Sequence, residues 1–179
     1  ISQASVVHDD AKLVDRVQFI HQSLGTDAII EQFVEGRELY VGIMGNQRLQ
    51  CFPVWELKFT KMPDDLHRIA TERVKWSPKY QRKHGIQAGA AKRLSEELTT
   101  RIYRVCRRVY RTLELSGYAR IDLRLARDGR FYVLEANPNP QIAFGEDFAE
   151  SAERAGLSYE TLLQRIMNVG LRWRPELKG

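Results

Sequence analysis

Alternating apolar and polar positions in residues 117–140 predict a β-hairpin, around which the rest of the chain is organised. The dipeptide Asp128-Gly129 supplies the positive φ angles that a tight hairpin turn needs. With a turn there, or a longer loop over 127–130, one face of the hairpin is apolar throughout. The facing pairs on it are Ile121 with Ala136, Leu123 with Leu134 and Leu125 with Tyr132. A slip of one residue would mix the two faces, so the pattern specifies the register.

The other face of this hairpin is polar and places two carboxylates opposite each other. Asp122 faces Glu135, and Arg120 faces Asn137. Like charges on paired strands repel each other, although a solvated face tolerates them at small cost. Carboxylate and amide oxygens are also the ligands that Mg²⁺ takes, together with water and phosphate. The hairpin alone leaves two interpretations open, an exposed polar sheet face and a magnesium site beside a fixed positive charge.

The first half of the chain predicts a helix followed by an antiparallel meander. The helix begins at Asp9-Asp10 and ends at Gly25. Three β-rich runs separated by Gly-bearing turns follow it. These runs are 28–34, 38–44 and 47–55. Pro53 indicates that the third strand lies at an edge or ends there.

Residues 56–89 show no clear periodicity and carry many Lys and Arg residues. A loop of this length suits a polyanion, and a solvated loop fits the composition equally well. Helical spacing then predicts a long helix over 90–115, closed by Ser116-Gly117 and packed on the apolar face of the hairpin. Two further helices are expected, one ending at Ala155-Gly156 and one capped by Ser158. The predicted fold class is α+β, with a mixed or antiparallel sheet and helices packed on one face.

Length and composition fit a soluble domain or part of a larger protein. The chain has 179 residues, of which 43% are hydrophobic and 28% charged. No apolar run approaches the length of a membrane span, and no signal peptide opens the chain. Cys51 and Cys106 lack disulfide-framework or metal-site spacing, so we expect a cytoplasmic location. The chain begins with Ile rather than Met, which suggests that it is cut from a longer protein.

The net charge of +5 is concentrated on the predicted helix over 90–115. Four of its arginines share a face, at positions Arg101, Arg104, Arg108 and Arg111. Such a stripe could contact nucleic acid. Acidic residues on the same helix, Glu96, Glu97 and Glu114, favour a solvated surface instead. We therefore expect neither a nucleic-acid partner nor a membrane.

Three sequence blocks resemble the ATP-grasp ligases, and most closely their D-alanine–D-alanine ligase branch. The blocks are I-E-Q-F-V-E-G-R-E-L at 30–39, R-V-K-W at 73–76, and A-R-I-D-L with V-L-E-A-N-P-N-P within 119–140. The first and third blocks at this separation form a specific signal, whereas the lysine block alone is weak. The resemblance covers nearly the whole chain.

The resemblance implies roles for individual residues in binding ATP and Mg²⁺ or Mn²⁺. Glu31, Gln32, Phe33 and Val34 would line the adenine, and Glu38 would hold the ribose hydroxyls. Lys75 and Arg120 would contact the phosphates and stabilise the transition state, with Lys58 as a competitor for the role of Lys75. Asp122, Glu135 and Asn137 would bind the metal ions. The implied reaction is an ATP-dependent joining of a carboxylate to an amine through an acyl phosphate.

The resemblance also implies an incomplete module. Residues 1–35 would end the central domain and 36–179 would form the C-terminal ATP- and Mg-binding domain, with the N-terminal part absent and the isolated chain inactive. The implied partners are ATP and small-molecule carboxylate and amine substrates, and a homodimer is one oligomeric state left open. The alternative is a nucleotide-binding or regulatory domain without ligase activity.

One departure from the resemblance concerns the second substrate. D-alanine–D-alanine ligases place a serine where this chain has Glu146, which is followed by Asp147. That serine receives the carboxylate of the second substrate, and an acid in its place would repel a carboxylate. We therefore expect an amine-bearing or neutral nucleophile rather than a simple D-amino acid bound in that manner.

Overall fold

Within residues 1–174, the strands form a six-stranded sheet. The computed structural model describes residues 1–174, and its strands follow the order β4-β3-β1-β5-β6, with the short β2 paired to β1. The strands are β1 Gly36–Met44, β2 Gln50–Cys51, β3 Trp55–Phe59, β4 Ile86–Ala90, β5 Tyr118–Ala126 and β6 Phe131–Asn137. The pairs of β1 with β2, β3 and β5, and of β5 with β6, are antiparallel.

Residues 1–174 contain six α-helices. They are α1 Asp10–Phe19, α2 Glu72–Trp76, α3 Pro78–His84, α4 Glu96–Thr112, α5 Asp147–Arg154 and α6 Tyr159–Leu171. Side-chain caps explain where several of them begin, because Asp9, Ser95 and Ser158 each accept a hydrogen bond from a backbone N–H of the first turn. The helix at Asp9-Asp10 continues through a π-helical turn and ends at Gly25, as predicted. Within residues 1–174, no helix is long and apolar enough to span a membrane.

The chain divides into two compact units. Residues 1–35 group with 59–87 in the first unit, and residues 36–58 group with 88 onward in the second unit. The break after residue 35 coincides with the expected domain boundary, whereas 59–87 join the first unit rather than the second. The assignment of these units to a central and a C-terminal domain stays a prediction.

The core of the second unit lies between α4 and one face of the sheet. Alternate residues of β1 and β5 point to this face, and Ile102, Cys106 and Tyr110 of α4 pack against them. The buried strand residues are Leu39, Val41, Ile43, Ile121, Leu123 and Leu125. This packing confirms the predicted contact between the long helix and the apolar face of the hairpin.

The opposite face of the sheet is covered over part of its length by α5 and α6. Met44, Phe52 and Phe148 form a second cluster there together with Leu162. Gly42 makes this packing possible, since a Cβ at that position would lie 2.8 Å from Cδ2 of Phe52. The expectation of helices on one face therefore holds for α4, while α5 and α6 add a layer on the other.

The predicted meander is only partly correct. Residues 28–34 form no strand, and Ile29 and Ile30 are exposed. High β-propensity does not produce a strand where no partner strand is present to pair with it. The third run, 47–55, contains β2 and only the first residue of β3, and the unassigned 56–89 segment holds most of β3 and β4 together with α2 and α3.

The β5–β6 hairpin has the predicted register at its polar end and a shifted register near its turn. Arg120 pairs with Asn137 and Asp122 with Glu135, but Leu123 pairs with Val133 rather than Leu134. The shift arises because Ala126 hydrogen bonds to Arg130 across a three-residue loop, with Gly129 at φ 81°. A β-bulge at Leu134 then restores the register at Asp122.

Candidate metal and nucleotide site

Strand alternation brings the polar side chains of three strands to the sheet face opposite α4. On β5, Arg120, Asp122 and Arg124 alternate with the core residues. The ladder places Glu38 of β1 opposite Arg124 and Tyr40 opposite Asp122. Glu135 and Asn137 extend the same row on β6. This arrangement, which we call the polar face, brings together Glu38 and the four hairpin residues that the sequence singled out.

Arg120 and Asp122 form a bidentate ion pair along β5. Nε of Arg120 donates to Oδ1 of Asp122 at 2.7 Å, and Nη2 donates to Oδ2 at 2.8 Å. Only 7% of Asp122 is exposed. Burial raises the pKa of Asp122 to about 6, with further upward contributions from Glu135 and Glu38, against the lowering effect of Arg120. Asp122 is thus a buried carboxylate held by Arg120, and Glu135 and Glu38 lie near enough to raise its pKa.

Glu38 is held by two partners of the same face. Its Oε1 accepts a hydrogen bond from the Tyr40 hydroxyl at 2.8 Å, and its Oε2 accepts one from Nη1 of Arg124 at 3.0 Å. Burial, and then the neighbouring Glu38 carboxylate, raise the pKa of Tyr40, so its hydroxyl stays a donor. The Arg120 guanidinium lies over the Tyr40 ring, 4.6 Å from its centroid. A continuous chain of contacts therefore joins Arg124 to Asp122.

Asp147 adds a carboxylate near this face. It lies in the first turn of α5, where burial raises its pKa while Arg120 lowers it. The indole of Trp55 also lowers the pKa of Asp147. Glu146 is the exposed N-cap of the same helix. The two acids noted in the sequence thus stand at the start of α5, and the inner one interacts electrostatically with Arg120.

The donor set of the polar face fits a hard divalent cation. Asp122 and Glu135 supply carboxylate oxygens from directly opposite positions, and the Asn137 Oδ1 accepts a hydrogen bond from the Asn139 N–H at 2.9 Å. In the part of the chain that the structure describes, no group of three or more His, Cys, Asp or Glu side chains is arranged to hold a metal ion. Two carboxylates and an amide match Mg²⁺, which retains water or phosphate oxygens as its other ligands.

The remaining predicted residues lie in the first unit. Glu31 and Gln32 are exposed in a segment without regular structure, and the Phe33 ring stands edge-on to His67, 5.3 Å between centroids. Val34 is half-buried, and Lys75 is an exposed residue in the last turn of α2. Their roles at the nucleotide stay predictions.

Lys58 is a poor alternative to Lys75 within the second unit. The ladder pairs Glu38 with Leu57, so Lys58 points to the face that carries α4. Its amine donates to the Ala90 carbonyl at 2.9 Å. The lysine is therefore directed away from the polar face.

Sequence reasoning missed two members of the polar face, Tyr40 and Arg124. Each lies two positions from a residue that was identified, Tyr40 after Glu38 and Arg124 after Asp122. Period-two alternation alone could have placed them on the same face. Their mutual contacts through Glu38 required the β1–β5 pairing, which the sequence did not reveal.

Comparison with known proteins gives the family. The model described as "D-ala D-ala ligase C-terminus" matches residues 4–168. The uncharacterised protein y4sG of Sinorhizobium fredii is 29% identical over 167 residues, which cover 93% of this chain and 48% of that protein. A D-alanine–D-alanine ligase of Desulfotalea psychrophila is 26% identical over 180 residues, covering 98% of this chain and 52% of the ligase. The chain spans about half the length of the curated relatives it matches.

Solved structures share the fold. The D-alanine–D-alanine ligase from Bacillus anthracis, complexed with ATP, matches with a TM-score of 0.70 at 23% identity, over 93% of this chain and 48% of that one. The enzyme from Coxiella burnetii matches with a TM-score of 0.72 at 17% identity, over 92% of this chain and 40% of that one. These likenesses confirm the predicted α+β fold. The family model over residues 4–168 confirms the predicted resemblance to the D-alanine–D-alanine ligases. The chain belongs to the D-alanine–D-alanine ligase C-terminal family.

Proposed function

We propose that this chain is the metal- and nucleotide-binding part of an ATP-dependent carboxylate–amine ligase. The observation that carries the proposal is the in-register pair of Asp122 and Glu135, with Arg120 and Asn137 as the next facing pair on the same side of the sheet. Asp122 is buried and already paired with Arg120, whereas Glu135, directly opposite, is exposed. Like charges at facing strand positions repel each other, so the pair would gain from a further cation. A metal-bound triphosphate supplies that cation.

In the proposed reaction a substrate carboxylate takes the γ-phosphoryl group of ATP, giving an acyl phosphate and ADP. An amine then attacks the acyl carbon, loses a proton, and phosphate leaves. Asp122, Glu135 and Asn137 would hold Mg²⁺, which when bound would neutralise phosphate oxygens. Arg120 offers a guanidinium to the transferred phosphoryl group, and the sequence resemblance assigns the same role to Lys75. The chain's own contribution is therefore to orient the phosphates and to balance their charge.

Metal binding tests the proposal directly. Mn²⁺ is titrated calorimetrically into the chain and into Asp122→Asn, with Asp128→Asn as the matched control. Asp128 lies in the turn of the same hairpin, where it is exposed and paired with Arg130. We expect Asp122→Asn to weaken Mn²⁺ binding at least about 10-fold, and the control to leave it unchanged. Equal Mn²⁺ affinity in all three proteins would contradict the proposal.

We propose that the amine substrate differs from that of the relatives named as D-alanine–D-alanine ligases. Asp147 at the start of α5 places negative charge near Arg120, and the exposed Glu146 lies next to Asp147. Such charge repels the carboxylate of an incoming amino acid, so we assign an amine-bearing or neutral nucleophile. Turnover assays of a longer protein containing this chain test it. D-alanine as the best acceptor, with Glu146→Ser having no effect, would refute this assignment.

The isolated chain is proposed to bind Mg²⁺ and nucleotide without completing a turnover. It matches about half the length of the relatives that are named as ligases. The alternative, a regulatory nucleotide-binding domain, predicts that longer proteins containing it bind ATP without releasing phosphate. A phosphate-release assay with candidate amines separates the two functions.

A further inference from the structure

A pocket of about 520 Å³ opens in the second unit at the end of α6. Its walls are the turn between β1 and β2, the segment before β5, the end of α6 and residues 172–174. Small-molecule sites commonly have volumes of about 300–1,000 Å³. In the part of the chain that the structure describes, no residue of the polar face lines this pocket. What we call the α6 pocket is therefore separate from the candidate metal and nucleotide site.

Hydrogen bonds between several elements hold the floor of the α6 pocket in place. The Asn46 side chain accepts a hydrogen bond from the Gly117 N–H and donates one to the Val169 carbonyl, both at 3.0 Å. The Gly45 N–H donates to the Gly117 carbonyl at 2.8 Å, and the Gly45 carbonyl accepts from the Tyr110 hydroxyl at 2.8 Å. These contacts link the β1–β2 turn to α4, α6 and the segment before β5, so the pocket is formed before any ligand binds.

The α6 pocket is lined by three arginines, Arg48, Arg172 and Arg174. None of the described residues that line it is acidic. Arg48 and Arg172 are exposed, and neither guanidinium has an ion-pair or hydrogen-bond partner within residues 1–174. Positive charge without a neighbouring carboxylate attracts an anion, and a guanidinium binds phosphate oxygens in pairs. The lining therefore favours an anionic ligand.

The end of α6 does not account for these free guanidiniums. Positive side chains commonly interact with the carbonyls at a helix C-terminus. In α6 the last four carbonyls already accept hydrogen bonds, two from backbone N–H groups and two from side chains. The acceptors are the carbonyls of Asn168, Val169, Gly170 and Leu171. The guanidiniums of Arg48 and Arg172 are therefore available to a ligand.

We propose that the α6 pocket binds a small phosphate monoester that carries a planar ring. Arg48 and Arg172 bind its phosphate oxygens, because a dianion matches more than one guanidinium. The Trp173 indole is 44% exposed and lines the same pocket as Leu115 and Val169, so these side chains contact the ring. This site goes beyond the proposed ligase function and does not depend on it.

Phenyl phosphate is the probe, because it combines a dianionic phosphate with one aromatic ring. It is titrated into the isotope-labelled chain and followed by NMR without divalent cations, at about 150 mM salt, which screens non-specific attraction. We expect the backbone amide signals of Gly45, Asn46 and Ser116 to shift, with a Kd of about 1 mM for a ligand of this size. Inorganic phosphate, which lacks the ring, should bind at least about 5-fold more weakly.

Arg172→Met and Arg104→Met form a matched pair of variants. Arg104 is an exposed arginine of α4 that does not line the pocket, and its replacement removes the same charge. We expect Arg172→Met to weaken phenyl phosphate binding about 10-fold or more, the size of hydrogen bonds to a charged group, and Arg104→Met to leave it unchanged. Trp173→Leu should weaken it a few-fold. If Arg172→Met does not fold, Arg48→Met in the exposed turn takes its place.

Three results would overturn the proposal. One is the absence of phenyl phosphate binding up to about 10 mM, a concentration about 10-fold above the expected Kd. Another is an equal loss of affinity in Arg172→Met and Arg104→Met, which indicates non-specific charge attraction. The third is a set of shifts centred on Tyr40 and Asp122, which assigns the ligand to the polar face. Inorganic phosphate that binds as tightly as phenyl phosphate overturns the role of Trp173.

Discussion

Removing one oxygen atom from the core should destabilise the second unit measurably. Tyr110 of α4 is 1% exposed, and its hydroxyl donates to the carbonyl of Gly45 at 2.8 Å. Gly45 follows β1 and is itself buried. The contact therefore ties the end of the long helix to the turn between β1 and β2. Tyr110→Phe deletes the donor and keeps the ring in place.

The magnitude follows from what the substitution leaves behind. A neutral buried hydrogen bond contributes about 0.5–1.5 kcal/mol, and a buried carbonyl that loses its donor costs about 1–3 kcal/mol. Since the Phe ring fills the same space, no packing term is added. We expect Tyr110→Phe to lower the free energy of unfolding by about 2 kcal/mol, which corresponds to about 4–8 °C in Tm for a chain of this size.

Urea unfolding followed by circular dichroism measures the effect, with Tyr118→Phe as the matched control. The Tyr118 hydroxyl donates to Oδ1 of Asn139 at 2.9 Å in an exposed position, so its loss should cost less than about 0.5 kcal/mol. The slope of the unfolding free energy against urea should be equal in all proteins, because the surface exposed on unfolding is unchanged. A Tyr110→Phe variant as stable as the control would show that the buried contact contributes nothing.

Three more outcomes can be checked on the same protein. Burial raises the pKa of Tyr110 to about 12, so on raising the pH the unfolded chain loses this proton before the folded chain does. The free energy of unfolding should therefore fall between pH 10 and 12, and less steeply in Tyr110→Phe. Urea unfolding at each pH measures it. In the same urea experiment, Gly36→Ala should lower the free energy of unfolding by about 2 kcal/mol or more, because its Cβ would clash with the Leu125 carbonyl. Gly170→Ala, in open space on α6, should raise it by up to about 1 kcal/mol. Cys106 is buried, and burial raises the pKa of its thiol. This thiol should therefore react with an aromatic disulfide reagent at pH 8 only when the protein unfolds. Fast reaction of Cys106 in the folded protein would contradict its burial.

Local patterns were sufficient to predict α1, α4, α5, α6 and the polar end of the hairpin, but not α2 and α3 in the unassigned 56–89 segment. Caps such as Ser158 act within one turn, and the facing of Asp122 with Glu135 depends on a turn only a few residues away. The failure at 28–34 has the opposite cause, since a strand needs a partner that only the tertiary fold provides. Features that depend on neighbouring residues could therefore be predicted from the sequence, whereas strands that depend on a distant partner could not.

In the candidate site, too, contacts within the hairpin could be predicted and contacts between distant strands could not. Asp122, Glu135 and Asn137 lie within one hairpin, so a short stretch of sequence is sufficient to predict that they lie close together. The Arg124–Glu38 pair joins residues 86 positions apart, and it exists only because β1 and β5 are neighbours in the sheet. The direction of Lys58 likewise follows from the β1–β3 register and not from its own neighbours.

Because of the bulge at Leu134, β6 has one residue more than β5 between the Leu123–Val133 and Asp122–Glu135 pairs. With the three-residue loop kept, deletion of Leu134 closes a regular ladder in which Val133 still faces Leu123 and Glu135 still faces Asp122. The strand next to the two carboxylates can therefore lose a residue while they stay in register. Homologues that are one residue shorter between these acids are expected to have a flat strand and the same pair of facing oxygen ligands.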